Sequence, residues 1–410
     1  MTVTWAIDKV LSEYPGNLQP DTVLSLPART GLSGLKHWRI DCPDGRYCLR
    51  CWSPRTPSCE RLEYTQAVLW YAVYEGIDFV PLPLEAADRK GYVFLFDSYW
   101  ELLPWIEGEN DPSLFVPGYP PQKSAKNDGN SDSLSNVTNN SNVNGSTISA
   151  GSFDSSSSTN SSDMQSNSDL SSNAKRQLDA LHAATAMIAI AQFHESTSTF
   201  PLPNEPQELS PAILRHAEFW KDEPENLDNI FNNYFRSPSC LSSESQLKRW
   251  TEQTGEFREL VGSLREHLTV LLEQLAIRKM SIQPSIGNAH RRHLLYNLGE
   301  FSGLIGFREM GADSVALDIA SLLSSIAGGS DELWTLGLRS YNSIRPLDEA
   351  EQQAIVGLDL SGSIMTNLQF AKLLHSDITT HLPEQIDLIL NEISKRNIHL
   401  ATCQKRLLAA

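Results

Sequence analysis

Hydrophobic residues in the first 117 positions fall into short runs that are separated by glycine-containing turns, a pattern typical of antiparallel strands. Residues 23–52 contain three such runs, with a GLSG loop after the first run and an Asp-Gly turn before the last. Residues 60–76 instead place apolar side chains at helical spacing and end in glycine. Two further runs, 79–85 and 91–108, predict two more strands. We therefore predict a small lobe built from a sheet and a helix.

The periodicity becomes that of helices after residue 174. Apolar stripes predict long helices at 175–197, 250–280, 315–327, 331–343, 348–375 and 383–399. One β-hairpin interrupts them, with strands at 293–296 and 301–307 around a turn at Asn297-Leu298-Gly299. The predicted fold class is therefore α+β, with a small antiparallel-sheet lobe and a mainly helical second lobe that contains the hairpin.

The segment between the two lobes has a different composition. Of the 47 residues in 127–173, 27 are Ser or Asn, and large apolar side chains are nearly absent. Such a segment buries too little apolar area to offset its ordering entropy, so we expect a disordered insert at 118–173. A regulatory phosphorylation tether is the alternative for this segment. The predicted organisation is thus 1–117, insert 118–173 and helical lobe 174–410.

The chain has 410 residues and a formal net charge of −17, which argues against nucleic acid or an anionic membrane as its main partner. No apolar run approaches the ~20 residues that a membrane-spanning helix needs, and the N-terminus lacks the pattern of a signal peptide. We therefore expect a cytoplasmic protein. Four of the six cysteines lie within 42–59, but their spacing is not that of a zinc site, so we expect free thiols.

Three segments, in this order, carry a resemblance to a known family: IAIAQFH at 188–194, the loop and hairpin at 286–307, and LDIASLL at 317–323. Together they resemble the aminoglycoside phosphotransferase and choline kinase family, small-molecule kinases with a bilobal, protein-kinase-like fold. The resemblance implies ATP as the cofactor, a hinge between the lobes near 97–108, and a catalytic-loop hairpin at 284–310.

The resemblance also assigns positions in the catalytic loop. Asn288 stands where the family has its catalytic Asp, and His290 matches the second His of the family's motif. The metal-ligand positions fall on His293 and Gly306. Asn288 cannot accept a proton at neutral pH, and glycine offers no side-chain ligand, so these substitutions argue against Mg²⁺.

In the small lobe, the resemblance implies a phosphate-covering loop at Gly31 and Gly34, and it places Arg50 where the family has a lysine. The acidic partner of Arg50 on the following helix would be Glu60 or Glu63. Arginine can hold a phosphate and an ion pair, but its planar fork differs from the point charge of lysine.

The sequence WELLPW, which includes Trp100 and Glu101, falls in the segment that the resemblance assigns to the hinge. Two interpretations remain open. The tryptophans either form the wall of an adenine-sized pocket or seal the two lobes together.

These assignments give one main hypothesis and two alternatives. The main hypothesis is a pseudokinase with a nucleotide- or ligand-binding role. The first alternative is an active ATP-dependent phosphotransferase acting on a small-molecule hydroxyl, with Glu309 or Asp313 supplying a replacement metal ligand. The second is a non-enzymatic protein with a vestigial cleft, which binds a protein partner through its helical lobe.

Overall fold

Five strands near the N-terminus form one antiparallel sheet with the order β1-β2-β3-β5-β4. A computed structural model gives this arrangement and describes residues 3–16, 18–26, 35–52, 58–109, 161–202, 208–222, 229, 235–287, 289–375 and 383–409. The strands are β1 (Thr22–Leu26), β2 (Lys36–Cys42), β3 (Gly45–Trp52), β4 (Val93–Leu95) and β5 (Ser98–Pro104). Helix α1 (Val3–Leu11) packs on one face, and helix α2 (Cys59–Tyr74) lies on the other.

The prediction of a strand at 79–85 is wrong. This segment contains Pro81 and Pro83, which cannot donate to a strand ladder, and it runs beside the sheet without joining it. The last two strands both come from the predicted run at 91–108. A tight turn at Phe96 and Asp97, where φ is 56° and 53°, connects them. Most of the predicted hinge at 97–108 is therefore strand β5.

The large lobe is helical, as predicted. Its helices are α3 (Ser161–Thr197), α4 (Pro211–Asp222), α5 (Glu244–Ala276), α6 (Ala316–Ala327), α7 (Asp331–Asn342), α8 (Glu349–His375) and α9 (Pro383–Ala409). Met187, Ile190 and Phe193 of α3 are fully buried in the main core. Within the described ranges no helix is both long and apolar enough to cross a membrane.

The segment predicted as a disordered insert lies mostly outside the described residues. Its last part, 161–173, belongs to α3, which begins earlier than the sequence pattern indicates because that pattern shows no apolar stripe there. The chain divides into two compact units, one formed by Met1–Pro120 with Leu178–Ala410 and the other by Pro121–Gln177. Both lobes belong to the first unit.

The predicted hairpin consists of β7 (Leu294–Asn297) and β8 (Glu300–Leu304), with positive φ at Leu298 and Gly299 in the turn. Strand β8 ends before 307, because Gly306 is left-handed and a short 3₁₀ helix, Phe307–Glu309, follows. A second strand pair, β6 (Gln283–Ser285) with β9 (Gly311–Asp313), was not predicted. These two pairs fix both ends of the loop at 286–293.

Candidate functional site

A buried carboxylate holds the loop that follows β6. Both oxygens of Asp318 accept hydrogen bonds: Oδ2 from the backbone N–H of Ile286 (2.6 Å) and the hydroxyl of Ser285 (2.8 Å), and Oδ1 from the N–H of Gly287 (2.9 Å). Nε2 of His194 lies 3.2 Å from Oδ2. Asp318 and His194 are both fully buried. We refer to Asp318, His194 and the residues 285–287 that they hold as the loop cradle.

The loop cradle joins two of the sequence segments that carried the resemblance. His194 ends the segment IAIAQFH on α3, and Asp318 is the acidic residue of LDIASLL on α6. Nδ1 of His194 lies 2.8 Å from the hydroxyl of Tyr341, which fixes the ring from its other side. The sequence analysis quoted both segments but assigned no role to either residue. The signal was present, since each segment places one polar side chain at the end of an apolar helical stripe.

The side chain of His290 caps the 3₁₀ helix Arg291–His293. Its Nδ1 accepts a hydrogen bond from the backbone N–H of Arg292 at 3.2 Å. Burial holds the pKa of His290 well below its usual value, and the neighbouring Arg292, His293 and Arg396 lower it further. The imidazole is therefore neutral at neutral pH, and one of its nitrogens serves the backbone. Asn288, the predicted position of the catalytic base, lies outside the described residues.

His293 and Gly306 lie against each other. Gly306 has φ +93°, and a Cβ added to it would lie 2.5 Å from Cδ2 and 2.6 Å from Cγ of His293. Real Cβ atoms do not approach other atoms this closely, so any side chain at 306 would have to displace the imidazole ring. The two positions that the resemblance assigns to metal ligands are thus close together, as expected, but the imidazole fills the space that a carboxylate at 306 would need.

Glu309 does not supply a replacement carboxylate that is free to bind a metal. Its side chain is 43% exposed and forms ion pairs with Arg308 (3.2 Å) and Arg61 (3.6 Å). Arg61, on α2 of the small lobe, also donates from Nη2 to the backbone carbonyl of Glu309 at 2.6 Å. Gly287 approaches the same carbonyl so closely that a side chain at 287 would collide with it.

Asp313 is buried, and its oxygens are already in use. It accepts hydrogen bonds from the hydroxyl of Ser210 (2.5 Å) and from the backbone N–H groups of Ala212 (2.9 Å) and Ser314 (2.8 Å). Burial raises the pKa of Asp313, while these hydrogen bonds and Arg215 lower it in part. Its role is to fix the start of α4 against β9.

The predicted phosphate-binding residue Arg50 faces Glu101, which is its direct cross-strand partner in the sheet. Glu101 is buried and accepts hydrogen bonds from Nε2 of Gln66 (2.8 Å) and from Nε1 of Trp52. Burial raises the pKa of Glu101, and Arg50 is the strongest of the groups that lower it again. Nε of Arg50 is buried and has no hydrogen-bond partner among the described residues.

Two further predictions for the small lobe need correction. Glu63 accepts a hydrogen bond from the hydroxyl of Tyr92 at 2.7 Å, and among the described residues neither Glu60 nor Glu63 forms an ion pair with Arg50. Trp100 does not line the cleft, because successive residues of a strand point to opposite faces. It stacks on Trp38 in the core beneath α1. Gly31 and Gly34 lie outside the described residues.

Two cavities border this region. The first, about 20 Å³, is lined by residues of both lobes, among them Arg50, Glu101, Phe307 and Arg308. It has room for about one water molecule. The second, about 310 Å³, lies beside the loop cradle and is bordered by Arg61, Arg215, Ser285, Gly287, Glu309 and Asp313. Its lining therefore combines two guanidinium groups with two carboxyl groups.

Comparison with known proteins gives the fold a context. No protein-family model matches the chain, and no curated protein matches it either. Among solved structures, the chain is similar to an aminoglycoside phosphotransferase from Alicyclobacillus acidocaldarius subsp. acidocaldarius (TM-score 0.57, 15% identity, 98% of this chain and 96% of that chain). It is also similar to a spectinomycin phosphotransferase in complex with ADP and spectinomycin (TM-score 0.59, 11% identity, 98% and 99%).

A third similar structure is an amicoumacin kinase in complex with AMP-PNP and Ca²⁺ (TM-score 0.56, 13% identity, 97% of this chain and 93% of that chain). At these identities the likeness establishes the fold alone. The predicted fold, α+β with the protein-kinase-like arrangement of the aminoglycoside phosphotransferases, is confirmed.

Proposed function

We propose that this chain, which has the fold of the aminoglycoside phosphotransferases, is a pseudokinase that binds a small polar ligand and does not transfer a phosphoryl group. One observation carries the proposal: the imidazole of His293 lies against Gly306, where a metal-binding carboxylate would have to be. Phosphoryl transfer depends on positioning and on neutralising charge, and in this fold that charge is neutralised by a metal ion.

The residues at these two positions do not fit Mg²⁺. That ion takes oxygen ligands in near-octahedral geometry, whereas the donor set here is one imidazole and a glycine. The neighbouring carboxylates do not compensate, because Glu309 pairs with two arginines and Asp313 caps α4. Each 1.36 kcal/mol of lost transition-state stabilisation slows a reaction tenfold, so the loss of the metal alone would reduce transfer by several powers of ten.

The 310 Å³ cavity supports a retained binding role. Its volume lies in the range of small-molecule sites, and Arg61 and Arg215 at its border suit a ligand with an anionic group. The similar structures that hold ADP and AMP-PNP support a nucleotide as one such ligand.

A second candidate is an active phosphotransferase acting on a small-molecule hydroxyl. The observation in its favour is the loop cradle, which holds the backbone of the catalytic-loop segment on either side of Ile286 with short hydrogen bonds. Solved phosphotransferases and kinases of the same fold support it as well.

Thermal-shift titration with ATP, with and without Mg²⁺, separates the two candidates, and ADP release over a panel of small-molecule hydroxyl acceptors completes the test. For a pseudokinase we expect a rise in melting temperature with ATP that does not depend on Mg²⁺, and no acceptor-dependent ADP. Acceptor-dependent ADP release that requires Mg²⁺ would establish the active phosphotransferase instead. No shift with ATP under either condition would contradict nucleotide binding.

Designed variants test the structural reason. Gly306→Asp alone should gain no Mg²⁺ dependence, because the imidazole of His293 still fills the space. Gly306→Asp combined with His293→Asn and Asn288→Asp should make ATP binding depend on Mg²⁺. If the single substitution gains the same dependence as the triple variant, His293 does not block the position.

A further inference from the structure

An aspartate, a histidine and a cysteine converge in the core between α8 and α9, outside the candidate site. Asp359 lies on α8, while His399 and Cys403 lie one turn apart on the same face of α9. Nε2 of His399 is 2.8 Å from Oδ1 of Asp359, and Sγ of Cys403 is 3.0 Å from Oδ2 of Asp359. The same Sγ lies 3.3 Å from Nε2 of His399. All three side chains are buried.

Hydrogen bonding explains only part of this arrangement. The triangle has three short edges, but a neutral imidazole and a thiol supply only two protons that can lie along them. If the imidazole and the thiol each donate to Asp359, the contact between Cys403 and His399 has no proton of its own. A cation at the centre would account for all three edges, because each ligand atom would then point toward the same ion.

We propose that Asp359, His399 and Cys403 bind a divalent metal ion of the zinc class. Thiolate sulfur, imidazole nitrogen and carboxylate oxygen are the three donor types that proteins use for zinc, at bond lengths of about 2.0 to 2.3 Å. Tetrahedral bonds of these lengths separate neighbouring ligand atoms by roughly 3.3 to 3.6 Å. The observed separations of 2.8 to 3.3 Å need to open by only a few tenths of an ångström.

Protons and charges balance when the ion binds. The thiol of Cys403 releases its proton to solvent, and the imidazole carries its single proton on Nδ1 so that Nε2 can coordinate. Nδ1 of His399 is buried without a hydrogen-bond partner among the described residues, so no bond there opposes this tautomer. One divalent cation then neutralises the thiolate and the carboxylate together. Arg406, whose Nη1 lies 3.3 Å from Sγ of Cys403, is itself paired with Asp331.

The surroundings favour a structural ion that exchanges slowly. Trp334 of α7 lies beside His399, with ring centroids 6.3 Å apart, and the guanidinium of Arg406 covers the indole ring at 4.3 Å. These groups shield the cluster from solvent. With two ligands on α9 and one on α8, the ion would tie the second half of α9 to the core of the large lobe. Cys403 is buried, whereas the other five cysteines of the chain are half-buried.

The test uses the full-length protein. The metal-free protein is titrated with Co²⁺, a spectroscopic substitute for Zn²⁺, and the melting temperature is measured with and without Zn²⁺. We expect one Co²⁺ per chain, absorption bands of a tetrahedral site that include a thiolate-to-cobalt transition, and a higher melting temperature with Zn²⁺. Cys403→Ser should lose the thiolate transition, and His399→Gln should weaken Co²⁺ binding at least tenfold.

Cys240→Ser provides the matched control, because this half-buried thiol donates to the carbonyl of Leu374 far from the cluster in sequence. It should bind Co²⁺ as the unmodified protein does. If the unmodified protein shows no thiolate transition, or if Zn²⁺ leaves its melting temperature unchanged, the cluster is hydrogen-bonded only and the proposal fails. This readout needs no variant, so misfolding of Cys403→Ser would not rescue the proposal.

Discussion

The loop cradle and the pair His293–Gly306 lie at the two ends of the same loop, yet they differ in how far they keep the function of the fold. In the loop cradle, a buried carboxylate meets its donors at 2.6 to 2.9 Å. At the other end, an imidazole fills the place of a metal ligand. The half that holds the backbone is complete, and the half that would hold the metal is closed.

This difference has a physical basis. Hydrogen bonds from backbone amides to a buried carboxylate stabilise the folded chain whether or not a reaction takes place. A cluster of metal-binding carboxylates, in contrast, repels itself when no ion is bound and so costs stability. Replacement of such carboxylates by a glycine and an imidazole relieves that cost. The fold is retained because its supports do not depend on the chemistry.

The largest effect is expected for Asp318→Asn in the loop cradle. The amide cannot accept from all the donors that meet the carboxylate, and its NH₂ group would face backbone N–H groups. We expect a loss of about 3 to 5 kcal/mol in the free energy of unfolding, measured by urea denaturation. The matched control is Asp387→Asn, which removes a partly exposed ion pair with Arg249 and should cost less than about 1 kcal/mol. Equal losses in the two variants would mean that the loop cradle is no stronger than a surface pair.

A smaller effect is expected for Gly306→Ala, which tests whether position 306 is closed. The left-handed conformation costs about 1 to 2 kcal/mol in any L-residue, and displacement of the His293 ring adds about 1 to 3 kcal/mol. Gly16→Ala isolates the first part, because Gly16 has the same φ of +93° and its added Cβ would meet nothing within 4 Å. Both free energies of unfolding come from urea denaturation.

The same substitution in a His293→Ala background completes a double-mutant cycle. There Gly306→Ala should cost no more than Gly16→Ala, which gives a coupling energy of about 1 to 3 kcal/mol between positions 293 and 306. A coupling near zero would contradict the steric closure.

The sequence predicted the large lobe well because helix periodicity and turn residues are local signals. The bounds of α6, α7 and α8 agree with the predicted ranges to within about one or two residues. The pair β6–β9 was missed since its strands have three residues each and contact each other only through the tertiary fold. The proline-rich run at 79–85 was overpredicted because its apolar content outweighed its missing N–H donors.

The candidate site was predictable only where a residue acts through its identity. Gly306 could be recognised as a position without a ligand from the sequence alone. That His293 covers it, that Glu101 rather than Glu63 faces Arg50, and that Trp100 points to the other face all depend on register and packing. Strand alternation separates Trp100 from Glu101, but the sequence does not say which of the two faces is the cleft.

The smallest effect is a change of pH dependence in Glu101→Gln, which tests whether the cleft beside Arg50 is dry. Burial raises the pKa of Glu101, so the folded chain binds this proton more tightly than the unfolded chain does. Its contribution to the free energy of unfolding is therefore fully present below the ordinary carboxyl pKa and is lost as the pH rises through the raised value. Glu101→Gln should lack this decline when urea denaturation is repeated from about pH 4 to pH 8. Trp52→Phe removes one donor to the carboxylate and should move the decline to higher pH. If the unmodified protein and Glu101→Gln show the same slope, Glu101 is hydrated and the cleft is open to water.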